Sequence, residues 1–110
     1  MKTEIRKEGS TVTAILAGDI DHHSAKGIRE EIDRYIELCR PELIILDFSR
    51  VSFMDSSGIG LIMGRYRLIR ELGGNIKVRH NGGAIGRMLS MASLSRLGID
   101  IGGMRNEKAN

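Results

Sequence analysis

Leu43-Ile44-Ile45-Leu46 is an unbroken apolar run held between Glu42 and Asp47. Four such residues, two of them β-branched, predict a strand covered on both faces. The segment before it has a different period. Ala25, Ile28, Ile32, Tyr35, Ile36 and Cys39 recur at three- and four-residue steps, with Lys26, Arg29, Glu30, Glu31, Asp33 and Arg34 between them. That spacing is an amphipathic helix with one buried stripe. Pro41 stops it, and Asp21 or Ser24 is placed to cap its start. A helix running into a buried strand restricts the chain to folds in which helices pack on a sheet.

The same alternation runs through the rest of the sequence. Residues 3–7 alternate around Ile5, Glu8-Gly9-Ser10 supplies a turn, and Thr11 to Leu16 continues in β-branched and apolar residues, which together predict a hairpin. Helical spacing returns at Ile59, Ile62, Met63, Tyr66, Ile69 and Leu72, and Gly73-Gly74 ends it. Residues 75–79 alternate as a strand. Ala84, Ile85, Met88, Leu89 and Ala92 predict a third helix, entered through a His80-Asn81-Gly82-Gly83 loop, and Leu97, Ile99 and Ile101 a closing strand. The order is β-β-α-β-α-β-α-β. The expected fold is α/β in class and α+β-like: one domain over residues 1–110, with a mixed sheet of four to five strands packed by three to four helices. Strand–helix alternation implies parallel pairing with right-handed crossovers, and the first hairpin adds an antiparallel contribution.

Composition removes several function classes. With 41% hydrophobic and 28% charged residues the chain is that of a soluble globular protein, and no apolar stretch is long enough to span a membrane. The lone Cys39 lies on the buried stripe and cannot form an internal disulfide, so a reducing cytoplasm is the expected compartment. The net charge of +3 arises in residues 75–110, where six basic residues face two acidic ones. That bias is thin and lacks interleaved aromatics, so a nucleic-acid partner is not expected.

In parallel sheets, partners meet the loops at the carboxyl ends of the strands. Two such loops are expected: Gly18-Asp19-Ile20-Asp21-His22-His23 and Arg50 to Gly58. The second contains Asp55-Ser56-Ser57-Gly58. Asp and Ser lead the ranking of helix N-caps, which is a sufficient structural account of the tetrapeptide. Two successive serines nevertheless exceed what one cap needs, and Gly58-Ile59-Gly60 is poor helix chemistry, each glycine costing ~1 kcal/mol relative to Ala. Small residues there leave the backbone open to close approach by another molecule.

Val51-Ser52-Phe53-Met54-Asp55-Ser56-Ser57-Gly58-Ile59-Gly60, extending through Leu61 to Tyr66, closely resembles the anti-sigma-factor antagonists of the bacterial STAS-domain family. Gly18 to Ala25 is similar to the sporulation sigma-F branch, and Leu72-Gly73-Gly74 and Met91-Ala92-Ser93-Leu94 match more loosely. The resemblance spans nearly the whole chain. It implies a regulatory binding protein, not an enzyme, that binds an anti-sigma factor which is also a serine kinase. Unphosphorylated, such proteins free the sigma factor to direct transcription. Phosphorylated on the second serine of the motif, Ser57 here, they release the anti-sigma factor. The partner-binding residues so implied are Asp21, His22, Met54, Asp55, Ser56, Ser57, Gly58, Ile59 and Gly60. No cofactor is expected; ATP belongs to the kinase, and a serine phosphatase resets the switch. The chain departs from the family at His80 to Gly83, where members often carry Ser-Pro.

Rival chemistries fit less well. Ser57, His22 or His23 and Asp55 supply the residue types of a hydrolase, but Asp55 stands where the first glycine of G-x-S-x-G belongs. Adjacent His22 and His23 are poorly placed to converge on one metal ion. Neither G-x-G-x-x-G nor a P-loop is present. Met63 and Met88 lie on core-facing stripes, whereas Met54, Leu61 and Leu68 fit either the core or a second apolar ridge for a partner. The alternative from another class is a STAS-type scaffold or nucleotide-sensing module of a larger signalling or transport assembly. A 110-residue chain favours the free-standing antagonist.

Overall fold

The computed structural model describes residues 2–103. Strands β1 (Lys2–Glu8) and β2 (Thr11–Ile20) form the expected hairpin, followed by α1 (His22–Cys39), β3 (Leu43–Met54), α2 (Ser56–Glu71), β4 (Asn75–His80), α3 (Gly83–Met91), a 3₁₀ turn at Leu94–Leu97, and β5 (Asp100–Gly103). The sheet order is β1-β2-β3-β4-β5, with β1 antiparallel to β2 and every later pair parallel. Three crossovers advance one strand at a time, and all three helices pack into one core cluster on the same face, as crossovers of a single hand require. The expected fold class and element order are those observed.

The core follows from that layering. Val12, Ala14 and Leu16 of β2, Ile44, Leu46 and Phe48 of β3, and Ile76 and Val78 of β4 pack against Ile28, Ile32 and Ile36 of α1, Leu61, Ile62 and Ile69 of α2, and Leu89 of α3. Ile15 and Ile45 are also buried but stand apart from this cluster, on the opposite face. Among the described residues, helices cover Leu43–Leu46 on one side only. On the other side the register sets Ile45 between Thr13 and Lys77, and Asp47 between Ile15 and Arg79. Cys39, Met63 and Met88 are half-buried against the core, as their stripes require.

Several boundaries differ from expectation. Helix α1 begins at His22, because Asp21 caps it in a box with Ser24. It ends as Pro41 dictates, with Arg40 in a left-handed conformation and its N–H donated to the Ile36 carbonyl. Strand β2 continues through Gly18–Ile20 and β3 through Met54, so both expected loops are largely strand. Leu97 is not in the closing strand: its carbonyl accepts the Tyr66 hydroxyl at 2.9 Å within the 3₁₀ turn. The His80 imidazole Nδ1 accepts the Gly82 N–H at 3.0 Å and thereby shapes the entry to α3, which lacks a side-chain cap.

One charged pair joins α1 to α2. Arg65 lies at core spacing between Leu61 and Ile69, and its side chain is only 7% exposed. Its Nε meets Asp33 Oδ1 at 2.7 Å, and its Nη1 donates to the Leu61 carbonyl at 3.3 Å. Burial pulls the guanidinium below its ordinary pKa, and Asp33 pulls it back. Removing one member of such a pair strands the other in a dry site. Asp33→Ala is expected to destabilise the fold by about 2–3 kcal/mol, because Asp33 is more exposed than its partner. Thermal melts of Asp33→Ala and of the double substitution Asp33→Leu, Arg65→Met test this, the double variant recovering most of the loss.

Candidate functional site

The pairing of β2 with β3 outlasts the rest of the sheet. On β2 the β1 register ends at Ala17, and on β3 the β4 register ends at Asp47, yet β2 and β3 stay paired to Ile20 and Met54. The result is a two-stranded ribbon carrying the starts of both α1 and α2. The register slips twice along it, between Ile15 and Ala17 and again between Gly18 and Asp19. Each slip places one extra residue on β3, and each flips which face the next side chain takes. Phe48, Val51 and Met54 consequently enter the core at three-residue steps. Phe53, opposite Asp19, is turned out and 54% exposed.

At the end of the ribbon the two helices begin side by side. The Asp55 N–H donates to the Ile20 carbonyl at 3.1 Å, closing the ribbon. Asp21 Oδ1 accepts the N–H groups of His23 at 2.9 Å and Ser24 at 3.0 Å, while Ser24 Oγ accepts the Asp21 N–H. Asp55 Oδ1 accepts the Ser57 N–H at 2.8 Å. Both acids are therefore N-caps in extended backbone. The Ser24 N–H, with that of His23, holds the Asp21 carboxyl below the usual carboxylate range.

With Asp55 supplying the cap, both serine side chains are left over. Ser56 is exposed. Ser57 is half-buried and lines an open groove of about 310 Å³ between α1 and α2, together with Ala25, Arg29, Gly60, Leu61, Gly64 and Arg65. His22 is exposed at the start of α1, its ring 4.0 Å from that of His23, so the two stack on each other instead of converging on a common point. Ile59 is half-buried against the core and Gly60 is exposed.

One open alternative is decided, one expectation is corrected and one residue is added. Met54 is 2% exposed and Leu61 3% exposed, both within the core, and Leu68 packs against it, so none of them forms an apolar ridge for a partner. Gly58 is buried, and a Cβ there would fall on Met54 Cγ and Sδ. Internal packing therefore accounts for this glycine, whereas a Cβ on Gly60 would meet only open space. The exposed aromatic beside the motif is Phe53, which sequence reasoning passed over because each slip in pairing breaks the two-residue alternation.

A family model for the STAS domain matches residues 2–103. The anti-sigma F factor antagonist of Paenibacillus polymyxa is 33% identical over 97 residues, covering 88% of this chain and 83% of that protein. The unphosphorylated form of the anti-sigma factor antagonist SpoIIAA superposes with a TM-score of 0.81 at 28% identity, covering 98% of this chain and 92% of that one. The phosphorylated form of SpoIIAA, a Bacillus cell fate determinant, gives 0.74 at the same identity, covering 98% and 96%.

The glycines separate fold from site in a melt. Gly58→Ala is expected to cost about 1–3 kcal/mol by displacing Met54. Gly60→Ala is expected to stabilise α2 by up to about 1 kcal/mol, having room for the methyl group and better helix propensity. The Asp21 cap is fully effective above the unfolded carboxylate pKa of about 3.9 and is lost as pH falls through the lower folded value. Acid titration of Tm is expected to show this component in the wild type and to lose it in Asp21→Asn, which caps without titrating.

Proposed function

Because the chain belongs to the STAS-domain family and resembles its anti-sigma factor antagonists, we propose that it binds an anti-sigma factor and thereby frees a sigma factor. The anti-sigma factor is also a serine kinase in this reading, and it phosphorylates Ser57 with ATP from its own site. The unphosphorylated chain binds, the phosphorylated chain is released, and a serine phosphatase restores it. No catalytic step belongs to this chain. The docking surface comprises Asp21, His22, Asp55, Ser56, Ser57 and Gly60 at the ribbon's end, with Met54, Gly58 and Ile59 supporting it from beneath.

The observation that carries this reading is the placement of Ser57. Its backbone N–H is committed to the Asp55 cap, while its side chain faces an open groove in the first turn of α2. A phosphate there brings roughly −1.5 to −2 charges. The dipole of a helix N-terminus tolerates such a charge, so the fold is expected to survive modification. For a partner the change is severe. A surface fitted to a small neutral hydroxyl next to the Asp55 cap would face a bulky dianion, and each 1.4 kcal/mol lost is tenfold in affinity.

The test is to incubate the purified chain with its anti-sigma kinase and ATP. Intact mass is expected to rise by one phosphate group in the wild type and to stay unchanged in Ser57→Ala, which still binds by calorimetry. Ser57→Asp is expected to bind at least about tenfold more weakly than the wild type. Phosphate uptake by Ser57→Ala would move the site to Ser56, and full affinity in Ser57→Asp would overturn the charge argument.

A further inference from the structure

The chain has two phenylalanines and no tryptophan, and the ribbon assigns them opposite fates. Phe48 is 1% exposed in the core; Phe53 is more than half exposed. The second slip in the β2–β3 register produces this difference. Gly18 pairs with Val51 and Asp19 with Phe53, so Ser52 is the extra residue. Without that bulge the side chain after Ser52 would keep the opposite phase. A bulge that turns an aromatic outward next to a binding loop re-aims a side chain, a recurrent use of the feature.

What surrounds Phe53 defines what it fits. Asp19 is exposed directly across the strand pair. Asp21 and Asp55 follow at the helix caps, two residues on from Asp19 and Phe53. The end of the ribbon thus joins one large apolar ring to an acidic border of Asp19, Asp21 and Asp55, with the exposed imidazoles of His22 and His23 beside the Asp21 cap. Such a border opposes a second copy of this chain, because an isologous contact would set Asp19, Asp21 and Asp55 against themselves. It complements a surface with an apolar socket bordered by Arg or Lys. Buried aromatic anchors at the centre of an interface, ringed by polar contacts, carry most of the affinity in many protein pairs.

We infer that Phe53 is the aromatic anchor by which this chain holds its protein partner, seated in an apolar socket with a basic border. The inference rests on the antagonist reading above and adds to it the residue that holds the partner and the chemistry of the partner's surface. Ser57 then controls a neighbouring contact, and Phe53 supplies affinity irrespective of Ser57's state.

The experiment is calorimetry of the unphosphorylated chain against the anti-sigma kinase, for the wild type, Phe53→Ala and Asp19→Asn, with a thermal melt of each. Wild-type binding tests the antagonist reading by itself; its absence sinks that reading and the inference with it. Given wild-type binding, Phe53→Ala is expected to melt within a few degrees of the wild type and to bind at least about 30-fold more weakly. Asp19→Asn is expected to flatten the salt dependence of binding. Equal affinity in a folded Phe53→Ala overturns the inference and leaves the antagonist reading standing. Hydroxyl-radical footprinting of the wild-type complex asks the same question if that variant misfolds: loss of Phe53 labelling on binding supports the anchor, and unchanged labelling refutes it. A concentration-dependent dimer that disappears in Phe53→Ala would assign the ring to self-association instead.

Discussion

The parallel pairing of β2 with β3 is the constraint on which the rest of the arrangement depends. These two strands stay together beyond the point where β1 and β4 leave them, and the Asp55 N–H closes the pair on the Ile20 carbonyl. Two helices that are far apart in sequence therefore begin next to each other. Everything attributed to the site follows: paired carboxylate caps, a serine facing the groove between the helices, and an aromatic ring on the ribbon's outer side. The Asp33–Arg65 pair joins α1 to α2, and Arg65 also lines the groove that Ser57 faces.

Structural and recognition roles overlap in the same few residues. Asp21 and Asp55 satisfy helix N–H groups and also set the sign of the local field. Gly58 is demanded by the thioether of Met54, while Gly60 has no such neighbour and leaves the helix surface bare. Capping and packing together explain Asp55 and Gly58 without a partner. They do not account for Ser56 and Gly60, which are exposed, or for the half-buried Ser57 beside the groove.

Much of this was legible in the residues. The stripes from Ile28 to Ile36 and from Ile62 to Ile69, the Pro41 stop and the Asp55 cap all follow local rules and appear where those rules place them. The extended ribbon did not, because two bulges convert a two-residue alternation into Phe48, Val51 and Met54 at three-residue steps, a pattern no strand template matches. That single departure hid the ends of β2 and β3, left Met54 undecided between core and surface and left Phe53 unnoticed. The Asp33–Arg65 contact was hidden for a different reason: Arg65 stands at core spacing on α2, but its partner is 32 residues away and only tertiary packing introduces them. The coverage of β3 was misjudged likewise, since Ile45 is shielded by strand neighbours and not by a second layer of helices.

The two outermost strands carry a final consequence. Among the described residues β1 and β5 are the borders of the sheet, and unshielded borders invite other chains to add to them. Here β1 alternates Glu4, Arg6 and Glu8 along its outward face, and β5 has only four residues, ending in Gly102-Gly103. Neither border offers a long, flat, uncharged template. Such blunted margins leave an incoming strand few unshielded backbone groups with which to pair.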